Sequence, residues 1–221
     1  MRGPVVGDLM THPVVSVVPA MPFKNLVRLL DQYQIGAVPV VDGHDRPVGV
    51  VSESDLLAKE DLRGADRPPS AFAPGRRWRW WGKSRAMTAE TAMTRRVRVI
   101  GQDEPVAVAA RRLAREHLRR LYVVDGDGKL VGVLARRDVL RVFLRPDAEI
   151  ARAVEEEVLR RCLWAAPEQA RAEVVDGVVT LTGTVDRRSE AERAARLTEA
   201  IPGVVAVANE LNSTVDDRIP G

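Results

Sequence analysis

The chain contains a copy of itself. Slid along its own length by 83 residues, it matches without a gap over about fifty positions. Met10-Thr11 falls on Met93-Thr94, Pro22 on Pro105 and Leu30 on Leu113. Val40-Val41-Asp42-Gly43 falls on Val123-Val124-Asp125-Gly126, Val48-Gly49-Val50 on Val131-Gly132-Val133, Asp55 on Asp138 and Leu57 on Leu140. A repeat of this kind narrows the fold, because each copy is one supersecondary unit and a unit with a bare apolar face is completed by its neighbour.

Both copies share one physical grammar. After an extended Met-Thr segment, apolar residues at helical spacing (Phe23, Leu26, Leu30 and Tyr33; then Val106, Ala110, Leu113 and His117) predict an amphipathic helix. Two β-branched runs joined by a Gly-containing turn follow, Val38–Val41 with Val48–Val51 and Leu121–Val124 with Val131–Leu134. A closing helix is predicted from Ser54 or Arg137. A two- or three-stranded sheet with helices on one face leaves its other face apolar, so the two copies are expected to pack together.

Between the copies lies GRRWRWWGKSR (residues 75–85), with Arg76, Arg77, Arg79, Lys83 and Arg85 interleaved with three of the four tryptophans. The net charge of the whole chain is +3, yet residues 63–85 alone hold seven Lys/Arg against one Asp. Outside this stretch the protein is mildly acidic, which argues against a general nucleic-acid binder. The preceding DRPPSAFAP disfavours helix and sheet and predicts a linker. For the basic run itself the sequence leaves four roles open: a solvated linker, an anionic membrane contact, a stacking surface for single strands, or a contact to phosphates of a bound ligand. Five cations at about 1 kcal/mol each give a membrane Kd of only ~0.2 mM before ordering costs, so one copy is a weak anchor.

The remaining composition excludes several classes. With 221 residues and 45% hydrophobic content the chain can bury a core. No run of 18 apolar residues and no export signal are seen, so the expected compartment is the cytoplasm. Cys162, placed at a helix end, has no intramolecular disulfide partner, and His12, His44 and His117 lie in unrelated segments, so no metal site is expected. No nucleophile elbow or Walker loop occurs, and no catalytic residue is assigned.

After Arg145-Pro146 the pattern changes. Ile150, Val154 and Val158 mark one helix face, and EVVDGVVTLTGTV (173–185) reads as a hairpin turning at Asp176-Gly177. Ser189 with Glu192 reads as a capping box for a helix reaching Ala200, ended by Pro202-Gly203 before a last strand at 204–211.

The Met-Thr segment, AVPVVD and GVVSESD together resemble a cystathionine-β-synthase (CBS) domain, and two in tandem resemble a Bateman module over about residues 6–145 less the linker. The C-terminal third, with GVVTLTG and IPGVVAVANEL, resembles a BON domain over about 147–215. The expected fold is α+β: two CBS repeats in a pseudo-two-fold module, and a small αββαβ domain. The expected organisation is repeat 1 at 1–62, the basic linker at 63–87, repeat 2 at 88–145, the BON-like domain at 146–215 and a tail at 216–221.

The CBS resemblance implies clefts for adenosine-containing ligands (AMP, ADP, ATP or another adenosyl compound), no required cofactor, and a homodimer through the module. It assigns ribose binding to Asp55, which closes Gly49-Val50-Val51-Ser52-Glu53-Ser54-Asp55, with Ser52 suited to phosphate. The same Ser52-x-x-Asp55 is also a capping-box pattern that starts a helix without any ligand. The second copy reads Gly132-Val133-Leu134-Ala135-Arg136-Arg137-Asp138, keeping the Asp and losing the hydroxyl, and Tyr122 replaces Pro39. One competent cleft at Asp55 and a weaker one at Asp138 are therefore expected. By position the resemblance places adenine against Thr11, Val15, Ala37 and Val38, or against Thr94, Arg98, Arg120 and Leu121, with the Asp55 cleft able to draw on the second copy. The BON resemblance implies an interaction module for protein or anionic phospholipid, and nucleic acid is not an expected partner.

Overall fold

The structure, a computed structural model, describes residues 3–63, 67–70, 72–160 and 170–217. The helix-end expectation for Cys162 lies outside the described residues. Cα packing divides the chain into two units, one from Val5 to Ala135 and one from Arg136 onward together with the first four residues.

The first unit runs α1 (Val6–Leu9), α2 (Phe23–Gln32), β1 (Ala37–Val41), β2 (Pro47–Ser52), α3 (Glu53–Asp61), α4 (Gly75–Ser84), α5 (Ala89–Ala92), β3 (Val99–Gly101), α6 (Val106–Arg115), β4 (Arg120–Val124) and β5 (Leu130–Ala135). β1 and β2 are antiparallel, with Val38 opposite Val51 and Val40 opposite Gly49. β4 and β5 repeat that register, with Leu121 opposite Leu134 and Val123 opposite Gly132. Each hairpin has its irregularity at the same place, between Val40 and Val41 and between Val123 and Val124. β3 adds a parallel strand to β4, whereas its counterpart in the first copy is the single bridge Val17 to Val40.

The helices follow the apolar spacing with two corrections. In α2, Leu26 and Leu30 are buried as expected but Tyr33 is exposed; in α6 the inner face is Val106, Ala109 and Leu113, so Ala109 takes the place expected of Ala110. His117 is not on a helix face. It follows the end of α6 with φ +51, as Gln34 follows α2 with φ +51, and both use the left-handed conformation to turn the chain into the next strand.

The two copies exchange their leading segments. Val6 N–H donates to Glu104 O at 2.9 Å and Gly7 N–H to Gln102 O at 2.8 Å; one repeat later Ala89 N–H donates to Met21 O at 2.8 Å and Glu90 N–H to Pro19 O at 2.9 Å. Thr11 exchanges both backbone hydrogen bonds with Val133, and Thr94 does the same with Val50. Met10 lies over Gly132 and Met93 over Gly49, where a Cβ would collide with the methionine sulfur. These paired contacts express the pseudo-two-fold relation between the copies in individual residues.

In the second unit, α7 (Arg136–Leu140) and a 3-10 turn (Arg141–Leu144) precede α8 (Asp147–Val154), which continues through a π-helical turn at Glu155–Leu159. β6 (Ala170–Val175), β7 (Val178–Arg187), α9 (Arg188–Glu199) and β8 (Ala206–Val215) complete it. β6 and β7 form the expected hairpin, and α9 is the crossover that lets β8 pair parallel to β7. Ile150, Val154 and Val158 are buried against Val179, Leu181 and Val185, as the periodicity predicts. The turn at Asp176 (φ +51) and Gly177 (φ +75) has the double left-handed backbone of a tight hairpin, and the Asp147 carboxylate accepts both of its N–H groups at 2.8 and 2.9 Å. Ser189 does not cap the helix. α9 begins at Arg188, Glu190 accepts from Arg187 N–H at 3.2 Å, and the Ser189 hydroxyl donates to Asp217 at 2.6 Å.

Candidate functional site

Asp55 stands in the first turn of α3, where β2 ends, and the capping-box pattern of its motif is realised. Its Oδ2 accepts from Ser52 N–H at 2.8 Å and from the Ser52 hydroxyl at 2.7 Å, closing the start of the helix. The Ser52 hydroxyl, expected to suit phosphate, is thus committed to Asp55 and lies 2.8 Å from the Ser54 hydroxyl. The other oxygen, Oδ1, faces a cleft and is ion-paired with Lys83. Lys83 Nζ also donates to Thr94 Oγ1 at 2.8 Å. Both side chains of the ion pair are largely buried, 14% exposed for Lys83 and 13% for Asp55.

The cleft has a volume of about 790 Å³, within the usual range for small-molecule sites. Asp55 supplies one side, Thr91, Met93 and Thr94 of the exchanged second-copy segment another, and Arg76, Arg79, Trp80 and Lys83 a third. The exchange explains why Thr94 meets Asp55: its hydrogen bonds to Val50 hold it beside β2, three residues before the helix that carries the carboxylate. Glu90 and Arg95 also line the cleft and pair with each other at 3.1 Å.

The tryptophan run, expected as part of a linker, is the helix α4. It docks on α3 through three polar contacts: Lys83 with Asp55, Trp80 Nε1 to Asp61 Oδ2 at 2.8 Å, and Lys59 Nζ to Ser84 O at 3.2 Å. The Arg85 guanidinium lies 4.7 Å from the centre of the Trp81 ring, while Trp78 remains exposed. Positions 76, 79, 80 and 83 are separated by three, one and three residues, so they fall on one helix face. That periodicity joins cations with a tryptophan, and a search for apolar spacing alone passes over it.

The other sequence candidates are distributed elsewhere. Thr11 is carried to Val133 by the segment exchange. Val15 packs on the first-copy core and Val38 is fully buried within it. Leu121 is fully buried. Ala37 offers its carbonyl to Arg120 Nη1 at 3.3 Å, so these two positions, one repeat apart, meet each other. Arg98 pairs with Glu116 at 3.2 Å. Tyr122 is buried, its hydroxyl has no hydrogen bond of normal geometry, and burial pushes the phenol up to about 12 against the opposing charge of Arg120. Asp138 is 2% exposed, with Arg137 and Arg141 at 3.8 and 3.7 Å. Arg77 lies outside the Asp55 cleft, in a smaller hollow with Arg76 and Trp80. Among the described residues no cluster of His, Cys, Asp and Glu could hold a metal ion, and no helix is long and apolar enough to cross a membrane.

Comparison with known proteins agrees with the fold. The CBS domain family model fits residues 6–60 and 89–156, and the BON domain model fits residues 146–214. The "CBS domain-containing protein CBSX2, chloroplastic" of Arabidopsis thaliana is 32% identical over 154 residues, covering 65% of this chain and 65% of that protein. CBSX1, also chloroplastic and from the same plant, is 31% identical over 151 residues, covering 63% and 64%. The chain thus spans about two thirds, and slightly less, of the length of these relatives. A crystal structure of CBSX2 in complex with AMP superposes with a TM-score of 0.56 at 34% identity, covering 65% of this chain and 98% of that one. The exchanged repeats, the conserved hairpin register and the family matches together make this chain a member of the CBS-domain proteins, carrying a tandem CBS pair followed by a BON domain.

Proposed function

We propose that this protein is a non-enzymatic sensor that binds an adenine nucleotide or related adenosyl compound in the Asp55 cleft and passes the bound state to a partner of its BON domain. The observation carrying this reading is the convergence of Asp55 with Thr94 of the other repeat in one cleft of about 790 Å³. A carboxylate accepts hydrogen bonds from a ribose diol, and the composite cleft makes ligand affinity depend on how the repeats are packed. The AMP complex of CBSX2 supports the choice of ligand.

Calorimetric titration with AMP, ADP and ATP tests the binding. One saturable site per chain is expected, with affinity reduced at least tenfold in Asp55→Ala; a loss of ~1.4 kcal/mol corresponds to that factor. Because Asp55 also caps α3, the variant's melting curve is recorded beside the titration to show that it remains folded. The Lys83–Asp55 pair favours a second reading, a ligand-free adaptor whose cleft is closed by its own lysine. No heat from folded wild-type protein would select the adaptor.

Signalling is tested separately by measuring binding to anionic vesicles and to candidate protein partners with and without saturating nucleotide. A coupling of about 1–3 kcal/mol, or 5- to 150-fold in affinity, is the usual range. Identical binding in both conditions for every partner that binds would remove the signalling half of the proposal.

A further inference from the structure

We infer that α4 makes the Asp55 cleft selective for phosphorylated adenosine ligands, with Arg76 and Arg79 gripping the phosphoryl tail and Lys83 exchanging Asp55 for phosphate as the ribose enters. The inference rests on the adenosyl-binding reading above and specifies which member of that ligand class the cleft accepts.

Charge accounting within the cleft leads to it. Four cations line the cavity, Arg76, Arg79, Lys83 and Arg95, against two carboxylates, Asp55 and Glu90. Lys83 is paired with Asp55 and Arg95 with Glu90, and among the described residues Arg76 and Arg79 make no ion pair. The two arginines also sit in the first half of α4, near its positive dipole end, where cations are disfavoured and an anion is welcome. An anion between them neutralises both penalties, and guanidinium groups are suited to phosphoryl oxygens through paired N–H donors.

The state of Asp55 supplies the second half. Oδ2 already accepts two hydrogen bonds from Ser52 and Oδ1 accepts Lys83, so the carboxylate has little capacity left for a diol while Lys83 remains. A ligand that takes Asp55 displaces an ammonium from a largely buried pair, which is unfavourable unless that ammonium finds another anion. A phosphoryl tail provides that anion close by, on the face of α4 that already carries Arg76 and Arg79. Adenosine and 5′-methylthioadenosine provide none, and the sulfonium of S-adenosylmethionine adds a fifth positive charge.

The test is a calorimetric panel of adenosine, 5′-methylthioadenosine, S-adenosylmethionine, AMP, ADP, ATP and inorganic tripolyphosphate against full-length wild type, Arg76→Ala/Arg79→Ala and Lys83→Met. For wild type, ADP and ATP are expected to bind at least tenfold tighter than adenosine or 5′-methylthioadenosine, and S-adenosylmethionine weakest. The arginine double variant is expected to lose at least tenfold for ATP while adenosine changes less than twofold. In Lys83→Met the ratio of ATP to adenosine affinity is expected to fall at least threefold, because Asp55 is open to a neutral ribose. Equal wild-type affinities for adenosine and ATP would overturn this inference and leave adenosyl binding standing. Tripolyphosphate binding as tightly as ATP would keep the cationic wall and overturn adenosyl recognition. No binding by any compound to folded wild type overturns both.

Discussion

Gly203→Val is expected to lower the stability of the C-terminal unit by roughly 2–6 kcal/mol, enough to unfold a small domain whose total stability lies near the low end of about 5–15 kcal/mol. Two independent costs add. Gly203 has φ +97, outside the regions a β-branched residue adopts, and such backbone strain costs about 1–3 kcal/mol. A Cβ there would also stand 3.0 Å from Arg145 Cβ and 3.0 Å from Ile150 Cδ1. Ile150 is fully buried at the centre of the unit's core and has nowhere to retreat, so overpacking adds about 1–3 kcal/mol.

The surrounding turn has no slack either. Val205 N–H donates to Gly177 O at 2.8 Å, and a Cβ on Gly177 would lie 3.0 Å from Gly203 O. Urea denaturation with hydrogen exchange at the β7 amides measures the effect. Protection of Val179 and Leu181 is expected to fall with global stability, and Gly203→Val/Ile150→Ala is expected to remain strained because only the contact with Ile150 is relieved, while the backbone strain and the Arg145 contact persist. Unchanged β7 protection in Gly203→Val would show that the turn tolerates a side chain and that this account of it is wrong.

How much of this was legible in the chain itself follows from which signals are local. The duplicated hairpins, α2, α6, the buried face of Ile150, Val154 and Val158, and the αββαβ order all rest on periodicities within a few residues, and the structure keeps them. Helix ends were displaced where a tertiary partner claimed the capping group, as Asp217 claims Ser189. The repeat alone carries no trace of the exchange of leading segments, because an 83-residue repeat looks the same whether Thr94 returns to its own copy or crosses to Val50; only the CBS resemblance implies that the Asp55 cleft can draw on the second copy. That exchange brings Thr91 and Met93 to the cleft lined by Asp55, and neither carries a local signal of that placement. The helix at Gly75–Ser84 is hidden for a different reason: its organised face consists of Arg76, Arg79, Trp80 and Lys83, and cation spacing acquires meaning only when a carboxylate such as Asp55 lies opposite.

Gly49→Val probes that assembly directly and is expected to cost roughly 2–6 kcal/mol while abolishing the Asp55 cleft. The glycine lies on β2, where Met93 of the second copy packs flat across the backbone; a Cβ would meet Met93 Sδ, with Cγ at 2.8 Å and Cβ at 3.0 Å. Met93 is only 7% exposed and belongs to the first-copy core, so the collision involves the root of the side chain and a flexible tip cannot absorb it. Relief requires the segment carrying Met93 to lift away from β2, which breaks the reciprocal Thr94–Val50 hydrogen bonds at 2.9 and 3.0 Å, each worth about 0.5–1.5 kcal/mol. Thr94 then leaves Asp55, and the cleft loses one of its walls.

The pseudo-symmetric Gly132→Val is expected to cost less. Met10 meets Gly132 in the same way but is more exposed than Met93, and its Cβ stands slightly farther off, at 3.2 Å. Thermal melts of both variants, with Met93→Ala and Gly49→Val/Met93→Ala completing a double-mutant cycle, measure the contact. A coupling of at least 1 kcal/mol between positions 49 and 93 is expected, since alanine removes the two tightest contacts, Sδ and Cγ, and leaves only Cβ at 3.0 Å. Additive effects, or Gly49→Val melting with wild type, would mean that the exchanged segment is not held against β2 by this contact.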